Sequence, residues 1–159
     1  MKTLEGKIAV VTGGSGVLGS NISKGLLQAG AAVFIVGGHQ HKVDAAVEAL
    51  SKEGQVEGKV CDVLSKDAVD ALAAEVLEKY GHIDILVNCA GGNVAGANIM
   101  ENQNVWDMKD EDLRKVIDLN LYGTIYPCLA FAKIMAGQKY GSIVNISSMA
   151  AYDSLTRVM

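Results

Sequence analysis

The sequence has few cysteines and no cluster of basic residues. Cys61, Cys89 and Cys128 are odd in number, widely spaced and without a metal-ligand pattern. They indicate reduced thiols in a cytosolic protein rather than a disulfide framework, and no metal site is predicted. Lysine and arginine are scattered along a chain whose formal net charge is -4. A nucleic acid is therefore not an expected partner, because nucleic-acid-binding proteins concentrate positive charge on one face.

Signals for export or membrane insertion are also missing. Residues 1–7 (MKTLEGK) carry charges where a signal peptide would need an apolar core. The longest uncharged stretch, residues 119–132, is shorter than the roughly 20 residues that span a bilayer, and it contains Pro127. We expect a cytoplasmic protein with no transmembrane segment and no membrane partner.

Short apolar runs alternate with helical patterns along the chain. The runs are typical of parallel strands that are buried on both faces. They cover residues 8–11, 33–36, 83–87 and 143–146, and a further weak strand at about 56–61 fits between two of the helices. Two of the helices between them are predicted to end at Gly54 and Gly81, and the second follows the N-cap Ser65. The alternation predicts the α/β class, with a doubly wound parallel sheet and one domain over residues 1–159.

A further helix is predicted over about residues 110–137, and Pro127 lies inside it. Proline lacks an N–H group, and its ring presses on the carbonyl four residues earlier, which here belongs to Gly123. We therefore expect a kink near Asn120. The alternative is that one helix ends at Pro127 and a second begins there.

A glycine-rich turn, residues 12–19 (TGGSGVLG), follows the first strand at once and opens the first helix. Glycines in such a turn allow the backbone to approach a pyrophosphate, and the helix N-terminus offers free N–H groups to the negative charge. The turn predicts a nucleotide site, the alternative being a turn without a ligand. The residues predicted to contact the cofactor here are Gly13, Ser15, Gly16, Val17, Leu18 and Gly19.

The ends of the second and third strands bear on which dinucleotide is bound. An acidic residue after the second strand selects NAD, but here the chain reads Gly38 and His39 at that place. With Lys42 nearby to meet a 2′-phosphate, these residues favour NADP(H), although His39 also fits a solvated loop. Asp62 and Val63 follow the third strand and are predicted to lie near the adenine. Asp62 could instead support the N-terminus of the next helix.

Four segments, taken in order, resemble the short-chain dehydrogenase/reductase family. They are the glycine turn, residues 88–91 (NCAG), residues 118–124 (DLNLYGT) and residues 145–148 (NISS). The resemblance implies a Rossmann-type fold and an oxidoreductase that uses NAD or NADP. It also implies hydride transfer between the nicotinamide and a small secondary alcohol or ketone, and a homo-oligomer.

The same resemblance implies roles for five residues. Asn88, Ala90 and Gly91 would line the cofactor and steady the central sheet, Asn120 would organise a proton-relay water, and Ser148 would bind the substrate oxygen. Each has a simpler alternative. Asn88 would only tie strands together, Asn120 would only satisfy backbone groups in a distorted helix, and the serine before Ser148 would be the exposed hydroxyl.

The glycine turn departs from the family's usual pattern, whose middle glycine stands at the place of Val17. The spacing of Gly13, Gly16 and Gly19 also suits the branch that contains nucleotide-sugar epimerases, whereas residues 88–91 favour the dehydrogenase branch. Within that branch the motifs resemble sugar-acid reductases of the D-mannonate oxidoreductase or fructuronate reductase type.

The family's Tyr-x-x-x-Lys motif is not found in the sequence. The tyrosine would follow the serine by about thirteen residues, just beyond Met159. Tyr152 is followed four residues later by Thr156, so no cation is placed to lower the pKa of its phenol. We expect a fold truncated after the fifth strand, a chain inactive on its own, and apolar surface that favours self-association. The alternatives are a non-catalytic dinucleotide-binding module and an epimerase-type enzyme.

Overall fold

The computed structural model describes residues 3–152. A five-stranded parallel sheet in the order β3-β2-β1-β4-β5 forms its centre. The strands are β1 (Ile8–Thr12), β2 (Ala32–Gly37), β3 (Val56–Val60), β4 (Ile85–Asn88) and β5 (Ser142–Asn145). The helices are α1 (Val17–Gln28), α2 (Gln40–Leu50), α3 (Lys66–Tyr80), α4 (Asp110–Ile117) and α5 (Gly123–Gln138). The predicted α/β class and doubly wound parallel sheet are confirmed.

Most element ends lie close to the predicted ones. Ser65 caps α3 by accepting a hydrogen bond from the Ala68 N–H at 3.3 Å, and Gly81 ends that helix with a φ of 77°. The prediction for α2 is wrong, because the helix ends at Leu50 rather than near Gly54. Leu50 is the last apolar residue of its pattern, and the chain then turns through polar residues, which gives no further apolar side chain to bury.

The predicted long helix is interrupted. Residues Asp118–Tyr122 form a π-helical turn between α4 and α5. Pro127 lies inside α5 with a buried side chain. The alternative prediction, that one helix ends at Pro127 and a second begins there, is therefore wrong. The irregularity near Asn120 is where the sequence predicts it, although it is a widened turn, a common cause of helix bending.

Apolar side chains cover both faces of the central strands β1 and β2. On one face Phe131 and Met135 of α5 pack with α3 against Val10 and Leu86. On the other, Leu27 of α1 joins a cluster that also contains residues of α2 and the opposite faces of β1 and β2. No helix in the described residues is long and apolar enough to cross a membrane.

The strand order decides where a ligand can enter. The chain runs from β1 outward to β2 and β3, and then returns to the other side of β1 to form β4 and β5. The connections therefore diverge at the carboxyl ends of β1 and β4, which leaves a crevice between them. Ligands of open α/β sheets bind in such a crevice.

Candidate functional site

The glycine turn is packed so closely that Gly13 and Gly14 have no room for a side chain. Gly13 has a φ of 65°, and a Cβ atom there would lie 2.6 Å from the carbonyl oxygen of Cys89. A Cβ atom on Gly14 would lie 2.7 Å from the Ile35 side chain. The turn is thereby pressed between the ends of β2 and β4, with its backbone at the crevice.

The first turn of α1 presents free N–H groups at the same place. Gly16 is the N-cap, offers no side-chain acceptor, and is followed by no acidic residue in the first turn. Val17 is 86% exposed and Leu18 is also exposed. An uncapped helix N-terminus attracts anions, because its N–H groups lack partners and the helix dipole is positive there. Together with the glycine cradle, this arrangement fits the pyrophosphate of a dinucleotide.

A buried threonine fixes the loop after β4 against the glycine turn. Thr12, 1% exposed, accepts hydrogen bonds through Oγ1 from the N–H groups of Cys89 and Ala90, both at 3.2 Å. Thr12 has no role predicted from the sequence. The signal that could have found it is a hydroxyl residue at the end of a strand, directly before a glycine turn.

Asn88 is buried beside this loop and joins two strands. Its Nδ2 donates to Asn145 Oδ1 at 2.8 Å and to Cys128 Sγ at 3.1 Å. The side chain therefore ties β4 to β5, as the simpler alternative for Asn88 states. Ala90 and Gly91, two and three residues later, line the crevice itself. Neither Asn145 nor Cys128 was singled out from the sequence as a partner of Asn88.

Asn120 holds the loop after β4 from the other side. Its Nδ2 donates to the carbonyls of Gly92 at 2.7 Å and Val116 at 2.9 Å, and its Oδ1 accepts from the Gly92 N–H at 3.0 Å. In a regular α-helix the Val116 carbonyl would accept the Asn120 backbone N–H, so this side chain competes for that bond at the π-helical turn. The Asn120 carbonyl accepts the Thr124 hydroxyl at 3.2 Å. Its role with a relay water stays a prediction.

Ser148 lies at the start of a short 3-10 turn, Met149–Ala151, where its Oγ accepts from the Ala150 N–H at 3.2 Å. Ser147 beside it is also exposed. Both serines line a cavity of about 650 Å³ at the carboxyl ends of β4 and β5. The described lining is uncharged and consists of Leu18, Cys89, Ala90, Gly91, Gly92, Asn93, Val116, Asn120, Thr124, Ile146, Ser147, Ser148 and Ala150. Burial raises the pKa of the Cys89 thiol in this wall.

The residues predicted to meet the adenosine half lie away from this cavity, at the ends of β2 and β3. Gly38 is exposed, and a Cβ atom there would meet nothing within 4 Å. His39 is the N-cap of α2 without a side-chain cap bond. Lys42 is exposed in the first turn of that helix, and within residues 3–152 it forms no ion pair. These positions are accessible to a second anionic group, in addition to the pyrophosphate at the N-terminus of α1.

Asp62 forms a tight local turn after β3. Its Oδ1 accepts from the Leu64 N–H at 2.9 Å, and its backbone carbonyl accepts from the Ser65 N–H at 3.0 Å. The Asp62 turn leads the chain into α3, as expected if Asp62 supports the start of that helix. The second carboxylate oxygen of Asp62 takes no part in this turn. Val63 is buried, and a Cβ atom on Gly123 would lie 3.1 Å from its side chain. An adenine role for both residues stays a prediction.

Comparison with known proteins defines the class to which this site belongs. Residues 7–158 match the short chain dehydrogenase family, and the chain belongs to that family. The 3beta-hydroxysteroid dehydrogenase of Mediterraneibacter gnavus is 38% identical over 151 residues, which cover 94% of this chain and 52% of that protein.

Solved structures show the same fold. A candidate D-mannonate oxidoreductase from Haemophilus influenza with bound NAD gives a TM-score of 0.90 at 28% identity, over 98% of this chain and 60% of that one. An actinorhodin polyketide ketoreductase variant with NADPH gives 0.89 at 28% identity, over 99% and 59% of the two chains. The chain spans half to three fifths of the length of these relatives.

Proposed function

We propose that this protein is an NAD(P)-dependent oxidoreductase, for which residues 3–152 provide the dinucleotide site and one side of the substrate cavity. The observation that carries the proposal is the uncapped N-terminus of α1, held by the glycine turn at the crevice between β1 and β4. When bound, the nicotinamide supplies or accepts the hydride. The protein's part is to bind the dinucleotide and to place the substrate oxygen.

The two serines and Asn120 would form the substrate side of this site. A hydroxyl at Ser148 can donate to a carbonyl oxygen or accept from an alcohol, which fits either direction of the reaction. Asn120 keeps the Gly92 loop beside it through two hydrogen bonds. None of the five tyrosines in the sequence is followed by lysine four positions later. We therefore expect the chain alone to bind the dinucleotide without turning over substrate.

NADP(H) is the proposed cofactor. No carboxylate follows β2 directly, while His39 and Lys42 lie exposed at the start of α2. A Gly38→Asp variant tests this, because an added Cβ atom meets nothing within 4 Å and the carboxylate brings a negative charge to the proposed 2′-phosphate position. We expect its NADPH affinity to fall roughly tenfold or more, with NADH affinity unchanged or higher.

The matched control for that variant is Gly137→Asp. It adds the same charge at an open position in the last turn of α5, which leads into β5 rather than following β2, and should leave both affinities unchanged. Equal loss of NADPH and NADH binding in Gly38→Asp, measured by nicotinamide fluorescence, would argue against a 2′-phosphate at this position.

The proposed substrate is a hydroxylated ketone or alcohol of the sugar-acid class, such as mannonate or fructuronate. Similarity to the candidate D-mannonate oxidoreductase supports this class. The described cavity lining is uncharged, so a substrate carboxylate would be bound by other residues of the protein. Steady-state assays of the protein from its source, comparing fructuronate with a neutral ketose, test the proposal. Faster turnover of the neutral sugar would overturn it.

We also propose a cytoplasmic homo-oligomer. The three cysteines are free thiols, which suits a reducing compartment. Leu129 on α5 and Val144 and Ile146 at the end of the sheet are exposed, and burial of such side chains favours association. Light scattering of the purified chain would show a species larger than 16.7 kDa, whereas a stable monomer would contradict self-association.

A further inference from the structure

The carboxyl ends of β4 and β5 are joined by three side chains that meet in a triangle. Asn88 and Asn145 lie opposite each other in the strand register and are linked at 2.8 Å. The Cys128 thiol of α5 contacts both amides. Its sulfur accepts from Asn88 Nδ2 at 3.1 Å, and its S–H donates to Asn145 Oδ1 at 3.6 Å. A helix is thereby fastened to the last rung of two neighbouring strands.

The orientation of Asn88 depends on this triangle. The residue is 2% exposed, and its Oδ1 has no hydrogen-bond partner within residues 3–152. Its amide is therefore held only through Nδ2, by Asn145 and Cys128. A buried amide with so few bonds is sensitive to the loss of one, because its burial limits access of solvent to the group left unpaired.

Both strands lead from this rung directly into the cavity wall. Residues 89–93 follow Asn88, and residues 146–148 follow Asn145. We propose that Cys128 is a positioning residue that sets the spacing of these two wall segments, and so shapes the part of the site that receives the nicotinamide half of the cofactor. This inference rests on the proposed function.

The two halves of a dinucleotide allow the inference to be separated from a general effect on stability. The residues proposed for the adenosine half, Gly38, His39 and Asp62, follow β2 and β3, on the other side of β1 from β4 and β5. A change at Cys128 should therefore weaken binding of the whole cofactor and spare binding of its adenosine half. A loss of stability alone would affect both ligands equally.

The experiment measures affinities for NADPH and 2′-phospho-ADP-ribose, and for NADH and ADP-ribose, by calorimetry on the full chain. Cys128→Ala removes the thiol, and Cys128→Ser keeps a donor and an acceptor. Met135→Ala, a buried change on the same helix, is the control for lost stability. We expect Cys128→Ala to bind the whole cofactor roughly threefold to tenfold more weakly, as for one lost hydrogen bond. Its affinity for the adenosine half should stay within about twofold.

The other variants complete the test. Cys128→Ser should bind both ligands nearly as the unaltered chain does, and Met135→Ala should lower the melting temperature without changing the ratio of the two affinities. Parallel loss of both affinities in Cys128→Ala, or no change in either, would overturn the inference alone. An unaltered, folded chain that binds none of the four ligands would overturn the proposed function and the inference with it.

Discussion

Substitution of Gly13 by alanine tests how the glycine turn is built. The residue has a φ of 65°, and an added Cβ atom would lie 2.6 Å from the Cys89 carbonyl oxygen and 2.7 Å from the Ala90 nitrogen. The left-handed conformation costs an alanine roughly 1 kcal/mol. Moving the backbone that it meets adds about 1–3 kcal/mol, as in an overpacked core. We expect Gly13→Ala to lower the free energy of unfolding by about 2–4 kcal/mol.

Gly25→Ala provides the matched control. Gly25 lies exposed inside α1, and a Cβ atom there would meet nothing within 4 Å. Alanine is the better helix former, so this variant should gain about 0.5–1 kcal/mol. Urea unfolding followed by circular dichroism measures both changes. A Gly13→Ala variant as stable as the unaltered chain would refute the close packing of the turn against Cys89 and Ala90.

Three further predictions concern other contacts. Asn120→Ala loses three hydrogen bonds of an exposed side chain, and the free energy of unfolding should fall by about 1–2 kcal/mol with faster amide exchange at Gly92. Unchanged exchange would contradict the clamp. Cys89, whose pKa is raised by burial, should be alkylated slowly at neutral pH and more slowly still with NADPH bound, as peptide mass mapping would show. Equal rates with and without NADPH would contradict its place in the cofactor cavity. Lys79, with Tyr80, holds the pKa of the Glu57 carboxyl below 4.5. The stability difference between the unaltered chain and Glu57→Gln should thus persist down to about pH 5 and shrink at lower pH, and a constant difference would contradict the pairing.

The main features of the fold follow from local patterns in the sequence. Apolar runs identify β1, β2, β4 and β5. β3 carries Glu57 and Lys59 and lies partly exposed at the sheet edge, so its own residues predict it only weakly. The alternation with helices then requires parallel strands and crossovers. Element ends are less well determined. Nothing in the residues near Gly54 indicates that α2 has already ended at Leu50, since that depends on which side chains find a surface to pack against.

In the candidate site, too, local features could be predicted from the sequence and contacts between distant residues could not. The glycine turn is local, so its strand-turn-helix context identifies it. The triangle of Asn88, Cys128 and Asn145 joins residues 40 and 57 positions apart along the chain, and no local pattern links them. The π-helical turn also depends on a contact between residues that are distant in the sequence. Pro127 indicates an irregular helix, but the widened turn also involves Asn120, which reaches across to the Gly92 loop.

A dinucleotide site at this crevice is tested most directly by equilibrium titration of the folded chain with NADPH and NADH, after circular dichroism has verified its native helix content. We expect saturable binding of one dinucleotide per chain, with NADPH bound more tightly than NADH and with both bound much more weakly by Gly13→Ala. A folded chain that binds neither dinucleotide would contradict the central claim that the crevice between β1 and β4 is a dinucleotide site.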